Sequence, residues 1–306
     1  MKRIISISLG SSKRDHRAEV EFLGEPVIVE RIGTNGSISQ AIDLIQLWDG
    51  KVDAFGMGGI DLYLFAGKKR YTMRDGARIA AAARKTPIVD GSGLKNTLER
   101  RVVRFLTQEM QYDLYGKKVL MVSAVDRFGM AEAFTEAGCS MIFGDLMFAL
   151  GVPIPLTKLE SLNRLARCLL PVITRLPFEM LYPTGAKQES TSEKHSRFYH
   201  EADIIAGDFL YIKKYLPEDL CRKIILTNTV TPADIEELRA RRAKMLITTT
   251  PEIAGRSFGT NVMEALIVSF SGKRPEELQE SDYERLLDAL EFKPRIVHLE
   301  RSVVNV

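Results

Sequence analysis

The chain has 306 residues, with 43 Lys and Arg against 40 Asp and Glu and a formal net charge of +3. That balance excludes binding to nucleic acid or an anionic membrane by bulk electrostatics, and the length suggests two domains, each able to bury its own core. Three cysteines, Cys139, Cys168 and Cys221, lie far apart without a CxxC pair, so neither a disulfide framework nor a zinc site is expected.

The apolar run at the N-terminus is too short for a signal-peptide core, and no uninterrupted apolar stretch approaches a membrane span, so a cytoplasmic location is expected. Along the chain, short β-branched runs alternate with helical patterns. Ile4–Ser8 and Val27–Glu30 read as strands. Ile38, Ala41, Ile42, Ile45 and Trp48 recur at helical spacing, with Ser37 or Ser39 as cap. Val52–Met57 reads as a strand ending in glycines, Asp75–Arg84 as a helix, Thr86–Val89 as a strand and Leu94–Met110 as a long helix. The Gln111–Gly116 segment breaks the period and marks a boundary.

The pattern then restarts. Lys118–Ala124 is a strand, Phe128–Ala137 a helix, Ser140–Phe143 a strand, Leu159–Thr174 a helix and Phe178–Tyr182 a strand. Thr184–Ser196 is polar and reads as a loop. Strands are expected at Ala202–Ala206, Lys223–Leu226 and Met245–Thr248. Thr231 caps a helix that starts at Pro232, whose missing N–H costs nothing there. Helices over Asn261–Ser269 and Ser281–Leu290 follow, and Arg295–Leu299 is either a last strand or a tail packed on the first domain. Alternating strands and helices imply parallel βαβ units, giving an α/β fold of two three-layer domains with mainly parallel sheets. Residues 1–113 form a substrate-binding-like domain and 114–306 a Rossmann-like one.

The strongest chemical signal is the strand, turn and helix running from Lys118 to Met130. Such a turn offers backbone N–H groups and a positive helix end to a phosphate. Asp145, sixteen positions after Gly129, closes the next strand, where an acid can accept from ribose hydroxyls. The turn has one glycine and no GxGxxG, so Ser123, Asp126 and Arg127 would share the phosphate work beside Gly129. Asp145 favours NAD, and Arg127 weakly favours NADP. Thr227 and Thr249, at later strand ends, are candidates to face the cofactor.

Three further strand ends are polar. Gly10–His16 offers Ser11, Ser12, Lys13 and Arg14 to a substrate carboxylate or phosphate. Asp90 and Lys95 could form an acid/base pair on a hydroxyl or carbonyl, with Asn96 beside them. Gly56-Met57-Gly58-Gly59 suits close approach of a ligand to the backbone.

At Ser8–His16 and Asp90–Arg100 the chain resembles bacterial proteins labelled quinate 5-dehydrogenase, and its two-half order is similar to the shikimate/quinate dehydrogenase family. Asn96-Thr97 resembles that family's Asn-Thr-Asp motif, but Leu98 stands where aspartate belongs. The glycine-rich cofactor turn and the family's lysine segment are also missing. The resemblance implies an NAD(P)-dependent oxidoreductase acting on a small hydroxy acid or polyol. Two other readings stand beside it: a transferase using another adenosine-bearing cofactor, and a non-enzymatic two-lobed small-ligand-binding protein with a hinge near Gln111–Gly116. A homodimer is compatible with each.

Overall fold

A computed structural model describes residues 1–67, 69–181, 194–253 and 256–300. The first strands and helices are β1 (Lys2–Ser8), β2 (His16–Phe22), β3 (Glu25–Gly33), α1 (Ile38–Trp48), β4 (Ala54–Gly58), β5 (Tyr63–Ala66), β6 (Lys69–Thr72) and α2 (Arg74–Ala80). There follow β7 (Ile88–Val89), α3 (Ser92–Gln108), β8 (Lys118–Met121), α4 (Phe128–Glu136), β9 (Ser140–Phe143), α5 (Asp145–Phe148), α6 (Leu159–Ile173) and α7 (Phe178–Leu181). The remainder are α8 (Ser196–Glu201), β10 (Ile204–Ala206), α9 (Phe209–Lys214), β11 (Ile224–Thr227), α10 (Pro232–Ala240), β12 (Met245–Thr248), β13 (Glu252–Ile253), β14 (Arg256–Ser257), α11 (Thr260–Ser271), α12 (Glu280–Ala289) and β15 (Arg295–His298).

The chain is α/β, with mostly parallel sheets covered by helices on both faces, and it divides into two units. Unit 1 is Met1–Leu98, Asn163–Glu189 and Phe258–Phe292, and unit 2 is Glu99–Leu162, Ser190–Ser257 and Lys293–Val306. This division corrects the expected cut between residues 113 and 114. Leu98 and Glu99 are consecutive residues of α3, so no boundary falls at Gln111–Gly116, and each unit draws on three separated segments. The expected loop over 184–193 lies outside the described residues.

In unit 1 the sheet order is β2-β3-β1-β4-β7. β3 and β4 pair parallel to β1, and β7 to β4, while β2 is an antiparallel edge strand. One face of β1 and β4 presents Ile5, Ile7, Phe55 and Met57 to Ala41 and Ile45 of α1 and Ile79 of α2. The other face carries Ser6, Gly56 and Gly58, whose small side chains let α11 approach closely, and Asn261 Nδ2 donates to Ser6 Oγ at 2.8 Å.

In unit 2 the order is β15-β12-β11-β10-β8-β9, parallel except for β15. Successive strand residues point to opposite faces. Val119, Met121, Ile204, Ala206, Ile224 and Leu226 therefore enter one core with Phe134 and Met130. Leu120, Val122, Ile205, Ile225 and Leu246 enter the other with Phe209, Ile212 and Leu238. Burial on both faces explains why these strands read as continuous apolar runs.

One expectation is corrected here. The strand expected at Phe178–Tyr182 is the helical turn α7, because Asp75 Oδ2 accepts from Phe178 N at 2.9 Å and fixes the turn start after Pro177. Of the two alternatives for the C-terminal segment, Arg295–His298 takes the strand, pairing antiparallel with β12 in unit 2. Thr231 and Asp234 form the expected helix start as a reciprocal capping box. No helix among the described residues is long and apolar enough to cross a membrane.

Candidate functional site

Open parallel sheets hold ligands outside the carboxyl ends of their strands, where the strand order changes direction. That point lies between β1 and β4 in unit 1, and between β8 and β10 in unit 2. The two edges are built differently.

In unit 1 the edge is closed by the chain itself. Leu9 N donates to Gly58 O at 2.9 Å, and a Cβ on Gly59 (φ 73°) would come within 2.9 Å of Gly10 N. The Gly10–Asp15 loop is held by its own hydroxyls. Ser11 Oγ accepts from Lys13 N at 3.2 Å, while Ser12 N donates to Asn35 Oδ1 at 2.9 Å and Ser12 Oγ accepts from Asn35 Nδ2 at 3.1 Å. Arg31, which sequence reasoning missed, reaches in from β3. Its guanidinium donates to Ser11 O at 3.1 Å, Asp15 Oδ1 at 2.7 Å and Ser8 Oγ at 3.0 Å. Burial, then the charge of Arg14, lowers its pKa. In the expected anion clamp, Ser11 and Ser12 shape the loop, and Ser12, Lys13 and Arg14 are exposed.

The expected acid/base pair is corrected. Asp90 Oδ2 accepts from Leu62 N at 2.6 Å and Tyr63 N at 3.2 Å, and its Oδ1 from Ser92 N at 3.0 Å and Ser92 Oγ at 2.6 Å. Four donors on one carboxylate make it a brace between two loops, with no lone pair left to take a substrate proton. Lys95 Nζ lies 3.4 Å from Asp61 Oδ1, and Asn96 is exposed. Sequence reasoning also missed Glu264 of α11, buried beneath this segment. The signal was present: one acid within the apolar run Val262–Val268.

In unit 2, Asp145 is beside the turn after β8, as expected, but it faces the protein. Its Oδ1 accepts from Ala124 N and Val125 N, each at 2.9 Å, while Oδ2 is buried with no hydrogen-bond partner among the described residues. Burial pushes this carboxyl up to about 6 against the pull of those two amides. Two amides that a phosphate would use are therefore taken by a side chain. Arg127 is 2% exposed, donating to Glu99 Oε1 at 2.7 Å and lying 3.5 Å from Asp208 Oδ2. Burial opposes its charge, but Glu99, Asp126 and Asp208 outweigh burial and raise its pKa. The expected phosphate and ribose contacts of Arg127 and Asp145 are corrected accordingly: both are internal braces. Gly129 is buried in the first turn of α4, and Asp126 is half-buried.

Around these braces a polar band follows the carboxyl ends of four adjacent strands. Asp208 caps α9 through Leu210 N at 2.9 Å, accepts from Asn228 Nδ2 at 3.0 Å and donates its own N–H to Ser123 Oγ at 3.4 Å. Thr227 Oγ1 donates to Gly207 O at 2.8 Å and is 3.1 Å from Asn228 Oδ1. Thr250 Oγ1 donates to Asn228 O at 3.1 Å. Thr249 is 1% exposed, its amide donates to Thr227 O at 2.8 Å, and its hydroxyl lacks a hydrogen-bond partner among the described residues. The structure brings together Ser123, Thr227 and its neighbour Asn228 with Asp208, which the sequence reading did not select.

Among the described residues no group of three or more His, Cys, Asp or Glu is arranged to hold a metal ion. A groove of about 570 Å³, lined by Cys221, Glu236, Arg239, Arg242 and Leu299, lies at the amino ends of the unit 2 strands, opposite the polar band.

No curated protein matches this sequence. Among solved structures, a hetero-hexameric glutamate dehydrogenase from Thermus thermophilus is similar at 12% identity and TM-score 0.44, covering 95% of this chain and 74% of that one. An NAD-dependent malic enzyme from Thermotoga maritima is similar at 11% identity and TM-score 0.36, covering 95% and 84%. A galactofuranose binding protein is similar at 13% identity and TM-score 0.36, covering 95% and 99%. A family model described as a domain of unknown function (DUF8753) matches residues 3–90. A second, described as a domain of unknown function (DUF8754), matches residues 93–299, more than half of the chain, and the chain belongs to this DUF8754 family.

Proposed function

We propose that the chain is a small-ligand-binding protein that takes a neutral, polyhydroxylated molecule, a sugar or polyol, at the carboxyl edge of the unit 2 sheet. The observation that carries this reading is the band of Ser123, Asp208 and Asn228 at the β8/β10 switch point. Asp208 keeps 26% of its side chain exposed, so its carboxylate can accept from vicinal hydroxyls, while the amide and hydroxyl beside it donate and accept. The charges point the same way. Glu99, Asp126 and Asp208 act on the buried Arg127, and Asp126 on Asp145, a field that opposes a phosphate or carboxylate and tolerates a neutral ligand.

A second reading is the NAD(P)-dependent oxidoreductase. The place of Asp145 beside the β8 turn favours it, and it requires Asp145 to give up the two amides it holds. A thermal-shift and calorimetric panel of aldopentoses, aldohexoses and inositol against NAD, NADP, quinate and shikimate separates the two readings, since a ligand that binds only the native state raises its stability. The expected result is stabilisation by a neutral polyol, lost in Asp208→Asn and Asn228→Ala. Stabilisation by a dinucleotide alone would replace the first reading with the second.

A further inference from the structure

Glu264 is 3% exposed, in the middle of α11, yet it joins two other elements of unit 1. Its Oε2 accepts from Gly91 N at 2.7 Å, in the turn that opens α3, and its Oε1 accepts from the Tyr283 hydroxyl of α12 at 2.8 Å. The packing requires this arrangement. Gly91 has φ 96° and its Cβ would come within 2.8 Å of Asn261 N, while a Cβ on Gly93 would collide with Glu264 Oε1 and reach 2.7 Å from the Tyr283 hydroxyl.

The ionisable groups facing Glu264 are few. Asp90 follows β7, α3 brings Lys95, and α12 brings Tyr283 with Asp282 beside it. β4 contributes glycine and apolar residues only. From β1 come serines and apolar groups, its Lys2 reaching the far end of α11 at Ser269. The Asp90 carboxylate is thus the near charge of like sign, and Lys95 lies 3.4 Å from Asp61. A buried carboxylate in such surroundings is costly unless it takes a proton.

We propose that Glu264 is a proton-operated clasp: as a neutral acid it ties the Gly91 turn to α12, and its ionisation beside Asp90 loosens both attachments. In the neutral form the acid O–H donates to the Tyr283 oxygen, which can reverse its role, and Gly91 N–H still finds the other oxygen. On ionisation the proton leaves to solvent and the carboxylate needs water, which reaches it only if the Gly91–Gly93 turn or α12 moves away. Burial, then Asp90, pushes the Glu264 carboxyl up to about 8, opposed by Tyr283, Gly91 and Lys95, so the device works near neutral pH. The inference is independent of the ligand reading in unit 2.

Infrared difference spectra should show a protonated-carboxyl band at pH 7 in the full chain that disappears at pH 9 and is missing in Glu264→Gln. Hydrogen exchange, corrected for the intrinsic rate, should show protection over residues 91–95 and α12 falling about tenfold across the same range, and staying flat in Glu264→Gln. No such band, or the same exchange profile in both proteins, overturns the proposal. Should Glu264→Gln fail to fold, Tyr283→Phe keeps the acid and removes its hydroxyl donor. In the clasp the Tyr283 attachment belongs to the neutral, closed form, so its loss moves the midpoint to lower pH, and a midpoint that stays or rises overturns the clasp.

Discussion

The parallel strands of the two units begin in one order, and the units treat its switch point in opposite ways. In unit 1, backbone and glycine fill the edge, and the polar residues around it hold loops: Asp90 braces two turns and Arg31 ties Ser8, Ser11 and Asp15 together. In unit 2 the bracing lies one layer down, in the Arg127–Glu99 pair and in Asp145 on the turn amides, which leaves Ser123, Asp208 and Asn228 at the surface. A strand-end polar residue is therefore ambiguous by itself. What separates a brace from a ligand contact is how many of its lone pairs the protein already occupies.

The largest test of that contrast is Arg127→Met. It strands Glu99 in the core without its cation, and urea denaturation should show a loss of about 3–5 kcal/mol. A loss below about 1 kcal/mol would mean that the pair is not a foundation of the unit 2 edge. Asp90→Ala should cost about 1–3 kcal/mol, because the turn amides of Leu62, Tyr63 and Ser92 lose their acceptor. Retained stability there would remove the closed half of the comparison.

Asp145→Asn sharpens the comparison through pH. The native carboxyl, near 6, binds its proton more tightly than the unfolded chain does, so its contribution to stability is full at low pH and declines as pH rises through 6. The asparagine keeps an oxygen for Ala124 and Val125, so it should flatten that decline in denaturation curves taken from pH 4 to pH 8. The smallest effect is expected for Lys13→Ala and Arg14→Ala, which should each change stability by less than about 0.5 kcal/mol. A change in ligand affinity in either variant would return the Gly10–His16 loop to the list of contacts.

Much of the fold was legible because the periods are strong. The helix over Ile38–Trp48, the strands Ser140–Phe143 and Met245–Thr248 and the Thr231 cap stand where the sequence puts them. Strand β2 carries a clear alternation from His16 to Phe22 but follows a polar cluster that draws the eye. α7 reads as a strand from composition, and only the distant Asp75 makes it a turn of helix. The site was less legible. Ser123 and Thr227 follow from the rule for strand ends, but Asp208 and Asn228 matter through neighbours 80 or more and 20 residues away, respectively, distances over which one sequence gives no pairing. The inward turn of Arg127 and Asp145 depends on Glu99 and on the β8 turn amides, partners that spacing alone does not identify.

Neither unit is contiguous, and this bears on how the chain is made. The face of β1 and β4 that carries Ser6, Gly56 and Gly58 is covered by α11, which emerges from the ribosome some two hundred residues after β4, and the unit 2 sheet lacks its edge strand until β15 appears. Ordering by distant segments slows folding and leaves unfinished sheets exposed. A nascent chain stalled before residue 258 would have α1 and α2 on one face of the unit 1 sheet and no α11 on the other.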